Sequence, residues 1–190
     1  ESAPINCGIF FVNGGDKMTL ETHFRNELEM MASLLGQTLG AQQRFMATAE
    51  SCTGGWIAQT ATAIPGSSQW FDRGYVTYSN RAKMEVLGVP EDILERYGAV
   101  SEQTAAAMAA GAIEAARVDV SVAVTGVAGP DGGSAEKPVG MVWFGWHLRG
   151  HAPVTKVIQF SGDRHSVRNK TVAAALTGLL QLVGAESAND

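Results

Sequence analysis

Two polar stretches carry side chains able to do nucleophilic and acid–base chemistry. Glu50-Ser51-Cys52-Thr53-Gly54-Gly55 sets two hydroxyls beside a glycine pair. The glycines let the backbone come close to a ligand. A helix starting at Trp56 would add free amides and a positive partial charge. Ser51 or Thr53 can therefore supply a nucleophile, and either can equally serve as a helix cap. Thr77-Tyr78-Ser79-Asn80-Arg81-Ala82-Lys83 gathers a hydroxyl, a phenol and an amine. A lysine in a dry pocket loses its proton near neutral pH and becomes a base. The same lysine on an exposed helix face would only be a solvated charge.

A third stretch has the character of a phosphate cradle. It runs from Thr125 to Ser134 and includes Gly126, Gly129, Gly132 and Gly133. No Gly-Lys-Ser/Thr closes it, so it is no P-loop, and it does not read GxGxxG. A plain turn fits it equally, with Asp131, Glu136 and Lys137 as solvated turn residues. Arg164 and Arg168 lie one helical turn apart and can grip a phosphate from one face; helix-surface arginines usually do not. Two other patterns mislead. Cys52 with Glu50 and Lys83 imitates a Cys-Glu-Lys amidase, without its usual local context. Tyr78 and Lys83 stand too far apart for the YxxxK pair of short-chain dehydrogenases. His147 and His165 are isolated and read as core or surface residues.

Elements that would position these groups follow from periodicity. Leu20, Phe24, Leu28, Met31, Leu35 and Leu39 recur at helical spacing, and Gly40 stops the run. A strand is expected over 44–49, then the loop 50–55, then a helix over 56–64 ended by Pro65-Gly66. Residues 70–78 are aromatic and β-branched and read as a strand. Ser79-Asn80 caps a short helix over 81–87, and Pro90 begins another. Ser101 opens an Ala-rich helix to about Arg117. Residues 118–124 form a continuous apolar run, the mark of a strand covered on both faces. Residues 139–148 and 154–160 read as a hairpin turning near Gly150. A last helix follows Ser161-Gly162-Asp163-Arg164, with Val167, Thr171, Ala174, Leu176, Leu179 and Leu180 on its buried side. This order predicts an α/β fold, a three-layer α/β/α sandwich with a mixed sheet. Ligands of such sheets sit at the carboxyl ends of the strands. The loops 50–55, 78–83 and 125–134, with 161–164, occupy such positions.

The chain has 190 residues, 45% of them hydrophobic, which suits one domain with a sizeable core. Glu1 to Lys17 look foreign to the rest, with Gly14-Gly15 and no periodicity. Met18 is the expected natural start, with 1–17 a leader and 18–190 a single domain. A formal net charge of -5 argues against nucleic-acid binding, which wants a basic face. No apolar run approaches the roughly 20 residues that span a bilayer. Two cysteines, Cys7 and Cys52, make no disulfide framework, so a reducing cytoplasm is expected. Two cysteines far apart in the chain and four histidines give no zinc-type cluster of ligands, so no metal site and no cofactor is predicted.

Taken together, the loops resemble a known family. Ala49-Glu50-Ser51-Cys52-Thr53-Gly54-Gly55, Pro65-Gly66-Ser67-Ser68 and Tyr78-Ser79-Asn80 with Lys83 are similar to motifs of the CinA C-terminal domain family. So are Gly98-Ala99-Val100-Ser101, Thr125 to Gly133, Lys137-Pro138-Val139-Gly140 and Gly162-Asp163-Arg164. The resemblance covers roughly residues 28–183, without the molybdopterin-binding-like domain that precedes the module in longer members. It implies the stand-alone form, an amidohydrolase that converts nicotinamide mononucleotide and water to nicotinate mononucleotide and ammonia. It also implies a homo-oligomer, and a site built from Ser51, Ser68, Tyr78, Lys83, Thr125, Gly126 and Arg164.

On that reading Ser51 is the nucleophile, forming an acyl-enzyme or orienting water, and neutral Lys83 is its base. Tyr78 would orient Lys83 or relay the proton to ammonia. Amides around Thr53 and Gly54 would form the oxyanion hole. Ser68, Thr125, Gly126 and Arg164 would bind ribose and phosphate. Rival readings are a catalytically inactive nucleotide-binding module, which would lack one of Ser51, Tyr78 or Lys83, and a regulatory partner in DNA uptake or repair.

Overall fold

Apolar runs rich in valine and alanine dictate where the sheet lies. In the computed structural model, which describes residues 20–186, five strands form one sheet in the order β2-β1-β3-β4-β5. They are β1 (Met46–Glu50), β2 (Phe71–Val76), β3 (Val120–Gly126), β4 (Met141–Leu148) and β5 (Val154–Gln159). The β1 strand pairs parallel with both β2 and β3, while β3–β4 and β4–β5 are antiparallel. The expected mixed sheet and its hairpin are therefore present. The leader expected at 1–17 lies outside the described residues.

Among the described residues six α-helices cover the two faces: α1 (Leu20–Ala41), α2 (Trp56–Thr62), α3 (Asn80–Leu87), α4 (Glu91–Tyr97), α5 (Glu102–Ala116) and α6 (Arg164–Glu186). Side chains alternate along a strand, so β3 serves both faces. Val120, Val122 and Val124 join Leu35 and Leu39 of α1, Ile57 of α2, and Leu176 and Leu179 of α6 in the larger core. Ala123 turns the other way and packs with Ala49, Met108, Ala109 and Leu87. The small residues on that second face let α5 lie close to the sheet. At Gly145 an added Cβ would come within 2.5 Å of the Ala105 carbonyl oxygen.

Several boundaries differ from the periodicity. Glu50 ends β1 rather than starting a loop. Thr125 and Gly126 still belong to β3, because β4 pairs with it as far as Gly126 and Val142. Val118 and Asp119 precede the strand, where the Asp119 carboxylate accepts the Phe45 N–H at 2.8 Å. On α6, Val167, Thr171, Leu176 and Leu179 are fully buried, whereas Ala174 and Leu180 are partly covered. The three parallel strands all end at one edge of the sheet, and α6 begins there.

Candidate active site

The parallel ladder runs one step past the strands. The Thr77 N–H donates to the Glu50 carbonyl at 2.9 Å and the Ser51 N–H to the Val124 carbonyl at 3.1 Å. Thr77, Ser51 and Thr125 thus stand in one row across the carboxyl ends of β2, β1 and β3. This is the edge where ligands of α/β sheets bind.

Lys83 closes on this row from α3. Ser79 caps that helix by accepting the Ala82 N–H at 3.1 Å, which fixes the first turn. Lys83 is consequently turned inward and is only 1% exposed. Its Nζ donates to the Thr77 carbonyl at 2.8 Å and lies 3.1 Å from Ser51 Oγ. Burial disfavours the ammonium and lowers the lysine pKa from 10.5 to about 8. The neutral amine then keeps an N–H on the Thr77 carbonyl and turns its lone pair to the Ser51 hydroxyl. A serine and an amine in that state are a nucleophile with its base.

The nucleophile loop is held from inside by Glu50. This buried carboxylate accepts the Thr48 hydroxyl at 3.2 Å, the Thr53 hydroxyl at 2.7 Å, and the N–H groups of Gly55, Ile57 and Ala58 at 3.0, 3.0 and 2.8 Å. The free amides expected at the start of α2 are therefore not free. An internal anion already satisfies them, so this helix end is no phosphate site. Thr53 spends its hydroxyl on Glu50, so Ser51 is the loop hydroxyl that meets Lys83. The Gly54 N–H is also taken, by the Ser51 carbonyl at 3.1 Å. Its positive φ of 62° and that of Gly55, 96°, are the conformations that made glycine necessary here. The oxyanion hole expected around Thr53 and Gly54 therefore loses the Gly54 amide.

Arg168 clamps the same loop from outside. Its Nε donates to the Cys52 carbonyl at 3.1 Å and its Nη2 to the Thr53 carbonyl at 2.7 Å. Its guanidinium lies 5.3 Å from the centroid of the Trp56 ring, and His165 packs on the same indole at 5.1 Å. Arg168 is thus a loop fastener, not the phosphate ligand that its spacing from Arg164 suggests. Arg164 is exposed, donating to the Gly129 carbonyl at 2.9 Å and to the Tyr78 phenol oxygen at 3.1 Å. Tyr78 is 62% exposed and meets Arg164, so the partner that orients Lys83 is the Thr77 carbonyl instead.

The remaining candidates divide. Thr125 lies in the row, buried, and donates its hydroxyl to the Ala99 carbonyl at 2.7 Å. Gly126 is required by β4, since a Cβ there would sit 2.6 Å from the Met141 carbonyl oxygen. Ser68 is exposed in the short 3-10 turn Ser67–Gln69, ahead of β2. That turn borders the start of β1, where the Met46 N–H donates to the Trp70 carbonyl. Ser68 and Ser51 therefore lie at opposite ends of the sheet, and the fold of one chain does not bring them together. Lys137 is no idle turn residue: its Nζ donates to the Tyr97 carbonyl at 2.6 Å. The Cys-Glu-Lys pattern dissolves, because burial pushes the Cys52 thiol up to about 11 and Glu50 is fully engaged. Glu50, Thr77 and Arg168 are the positions the sequence left without these roles.

This geometry has relatives. Residues 28–183 match the family model described as the CinA C-terminal domain. The chain is 51% identical over 156 residues to the nicotinamide-nucleotide amidohydrolase PncC of Escherichia coli (strain K12), covering 82% of this chain and 94% of that one. It is 55% identical over 147 residues to the PncC of Enterobacter agglomerans, covering 77% and 90%. Among solved structures it is similar to the competence/damage inducible protein CihA from Agrobacterium tumefaciens, with a TM-score of 0.80 and 44% identity over 82% of this chain and 95% of that one.

Proposed function

The chain belongs to the CinA C-terminal domain family, and from that premise we propose that it is a nicotinamide-nucleotide amidohydrolase. It converts nicotinamide mononucleotide and water to nicotinate mononucleotide and ammonia. The observation that carries this reading is a buried Lys83 Nζ 3.1 Å from Ser51 Oγ at the ligand-binding edge of the sheet.

An amide is a poor electrophile and its nitrogen a poor leaving group. The site must activate a nucleophile, hold an oxyanion and protonate nitrogen. Neutral Lys83 takes the Ser51 proton as Ser51 Oγ bonds the carboxamide carbon. The loop amides of Cys52 and Thr53 are assigned to the oxygen that gains charge, with each donor of this kind worth roughly 3–4 kcal/mol. Lys83, now an ammonium, returns the proton to the departing nitrogen, and water then releases nicotinate mononucleotide from Ser51. Arg164, beside Tyr78, supplies the exposed cation for the 5′-phosphate, and Thr125 with the adjoining Gly126 forms the floor beneath the ribose. Ser68 has no part in a site built from one chain.

No nucleic-acid partner is proposed for so acidic a chain. Among the described residues no helix is long and apolar enough to cross a membrane, and the proposed setting is the cytoplasm. Val154 and Val157 leave apolar surface on edge strand β5, which suits a homo-oligomer. The test of the function is ammonia release from nicotinamide mononucleotide by the wild-type protein and its absence in Ser51→Ala. A folded wild-type protein that releases none overturns the reading.

A further inference from the structure

The row of hydroxyls at the strand ends has one member without an occupation. Thr125 donates to Ala99, and Ser51 meets Lys83. Thr77 is only 1% exposed, yet its Oγ1 has no hydrogen-bond partner, while its own carbonyl anchors Lys83 Nζ at 2.8 Å. A buried hydroxyl with no partner costs stability, and valine has nearly the same shape without that cost. Groups kept against stability are characteristic of working sites.

We propose that the Thr77 hydroxyl is a further catalytic group of this site, accepting an N–H of the amide nitrogen as it leaves. The proposal rests on the amidohydrolase reading above. In the first step Ser51 Oγ bonds the carbonyl carbon and its proton passes to Lys83 Nζ. On collapse the carbon–nitrogen bond breaks and its electron pair stays on nitrogen. Nitrogen takes the proton from Lys83 and departs as ammonia, and the carbonyl re-forms as the Ser51 ester. The nitrogen must therefore come within hydrogen-bond reach of Lys83 Nζ. That amine is fixed between Ser51 Oγ and the Thr77 carbonyl, on the β2 side of the nucleophile. A nitrogen arriving there brings its N–H groups among buried side chains, where each needs an acceptor. The Thr77 carbonyl already holds Lys83, whereas the Thr77 hydroxyl oxygen is unspent. An N–H held by Thr77 turns the nitrogen lone pair towards the ammonium. Thr125, across Ser51 on β3, lies on the side away from the amine.

The test compares Thr77→Val and Thr77→Ser with wild type for ammonia release from nicotinamide mononucleotide, for hydrolysis of p-nitrophenyl acetate, and for melting temperature. The ester's phenolate leaves without a proton, so it does not need Thr77. Thr77→Val should lose about tenfold in kcat on the nucleotide, the scale of one hydrogen bond made only in the transition state, with KM little changed. It should keep Ser51-dependent ester hydrolysis and melt at or above the wild-type temperature. Thr77→Ser should recover most of the amide rate. An unchanged kcat in Thr77→Val overturns the proposal. So does a parallel loss of amide turnover, ester turnover and melting temperature, which would make the hydroxyl structural. A wild-type protein that cleaves the ester through Ser51 but releases no ammonia from the nucleotide overturns the functional reading, and this proposal with it.

Discussion

Replacing Ser51 by alanine removes the oxygen that Lys83 reaches and little else. The side chain is small and caps no helix, since Gly55, not a hydroxyl residue, precedes α2. The variant should fold with a stability within about 1 kcal/mol of wild type, the ordinary scale for one hydrogen bond. It should release no ammonia, which urea unfolding and a turnover assay on the same preparation will check. Lys83 allows a sharper test. The base must be neutral, and burial brings its pKa to about 8. Turnover limited by chemistry should therefore rise with pH through that value and level off above it. Lys83→Arg keeps the charge but cannot lose a proton at working pH. It should fall about 10²–10⁴-fold, as far as Lys83→Ala. An arginine variant that keeps its kcat and loses only affinity for the nucleotide would assign Lys83 to phosphate binding.

At the scale of elements, the site depends on how β1 passes into α2. Glu50 joins the strand end, the loop through Thr53, and the helix amides of Ile57 and Ala58 through one carboxylate. Glu50→Gln turns an amide donor toward these donors and removes the charge they solvate. It should cost about 3 kcal/mol, the scale of breaking a buried charged network, and should speed amide exchange in 56–58, measured by urea unfolding and hydrogen exchange. Little of this arrangement was legible beforehand. Valine-rich runs announced β3 and its two covered faces, and Ser79 announced the α3 cap, because those signals are local. Glu50 looked like the first residue of a polar loop, since nothing local shows that a carboxylate is buried against the helix that follows. Ser68 shares a polar, glycine-containing setting with the loops at the carboxyl ends of the strands. Only the direction of β2 puts it at the far end of the sheet. Arg168 shares a helical face with Arg164, yet the loop carbonyls of Cys52 and Thr53 claim it, a contact across the fold that spacing along α6 cannot disclose.

For the whole molecule, a buried base beside a buried thiol makes stability depend on alkaline pH in a particular shape. Stability rises with pH wherever the unfolded chain binds more protons than the folded one. Lys83 has its folded pKa lowered from 10.5 to about 8. Between those values the unfolded lysine holds a proton that the folded one has lost, so stability climbs. Below about 8 both states carry the proton and the cost of burying the ammonium is fully present. Cys52 works in the opposite direction, because burial raises its thiol from 9.0 to about 11. Between those values the folded thiol keeps a proton that the unfolded one has lost, so stability drops. Each group acting alone would change stability by up to about 1.4 kcal/mol per pH unit within its window. Their sum predicts a rise of roughly 1 kcal/mol from pH 8 to 9, a flat stretch to about pH 10.5 where the two slopes cancel, and a decline beyond it. Urea midpoints measured across this range will check the shape. Lys83→Met should erase the first rise and expose a decline that begins near pH 9, where the unfolded thiol titrates. Cys52→Ala should do the reverse and leave an unbroken climb to about pH 10.5. A wild-type curve without the rise, or a Lys83→Met curve that retains it, would mean that Lys83 is not the buried, readily neutralised amine on which the mechanism depends.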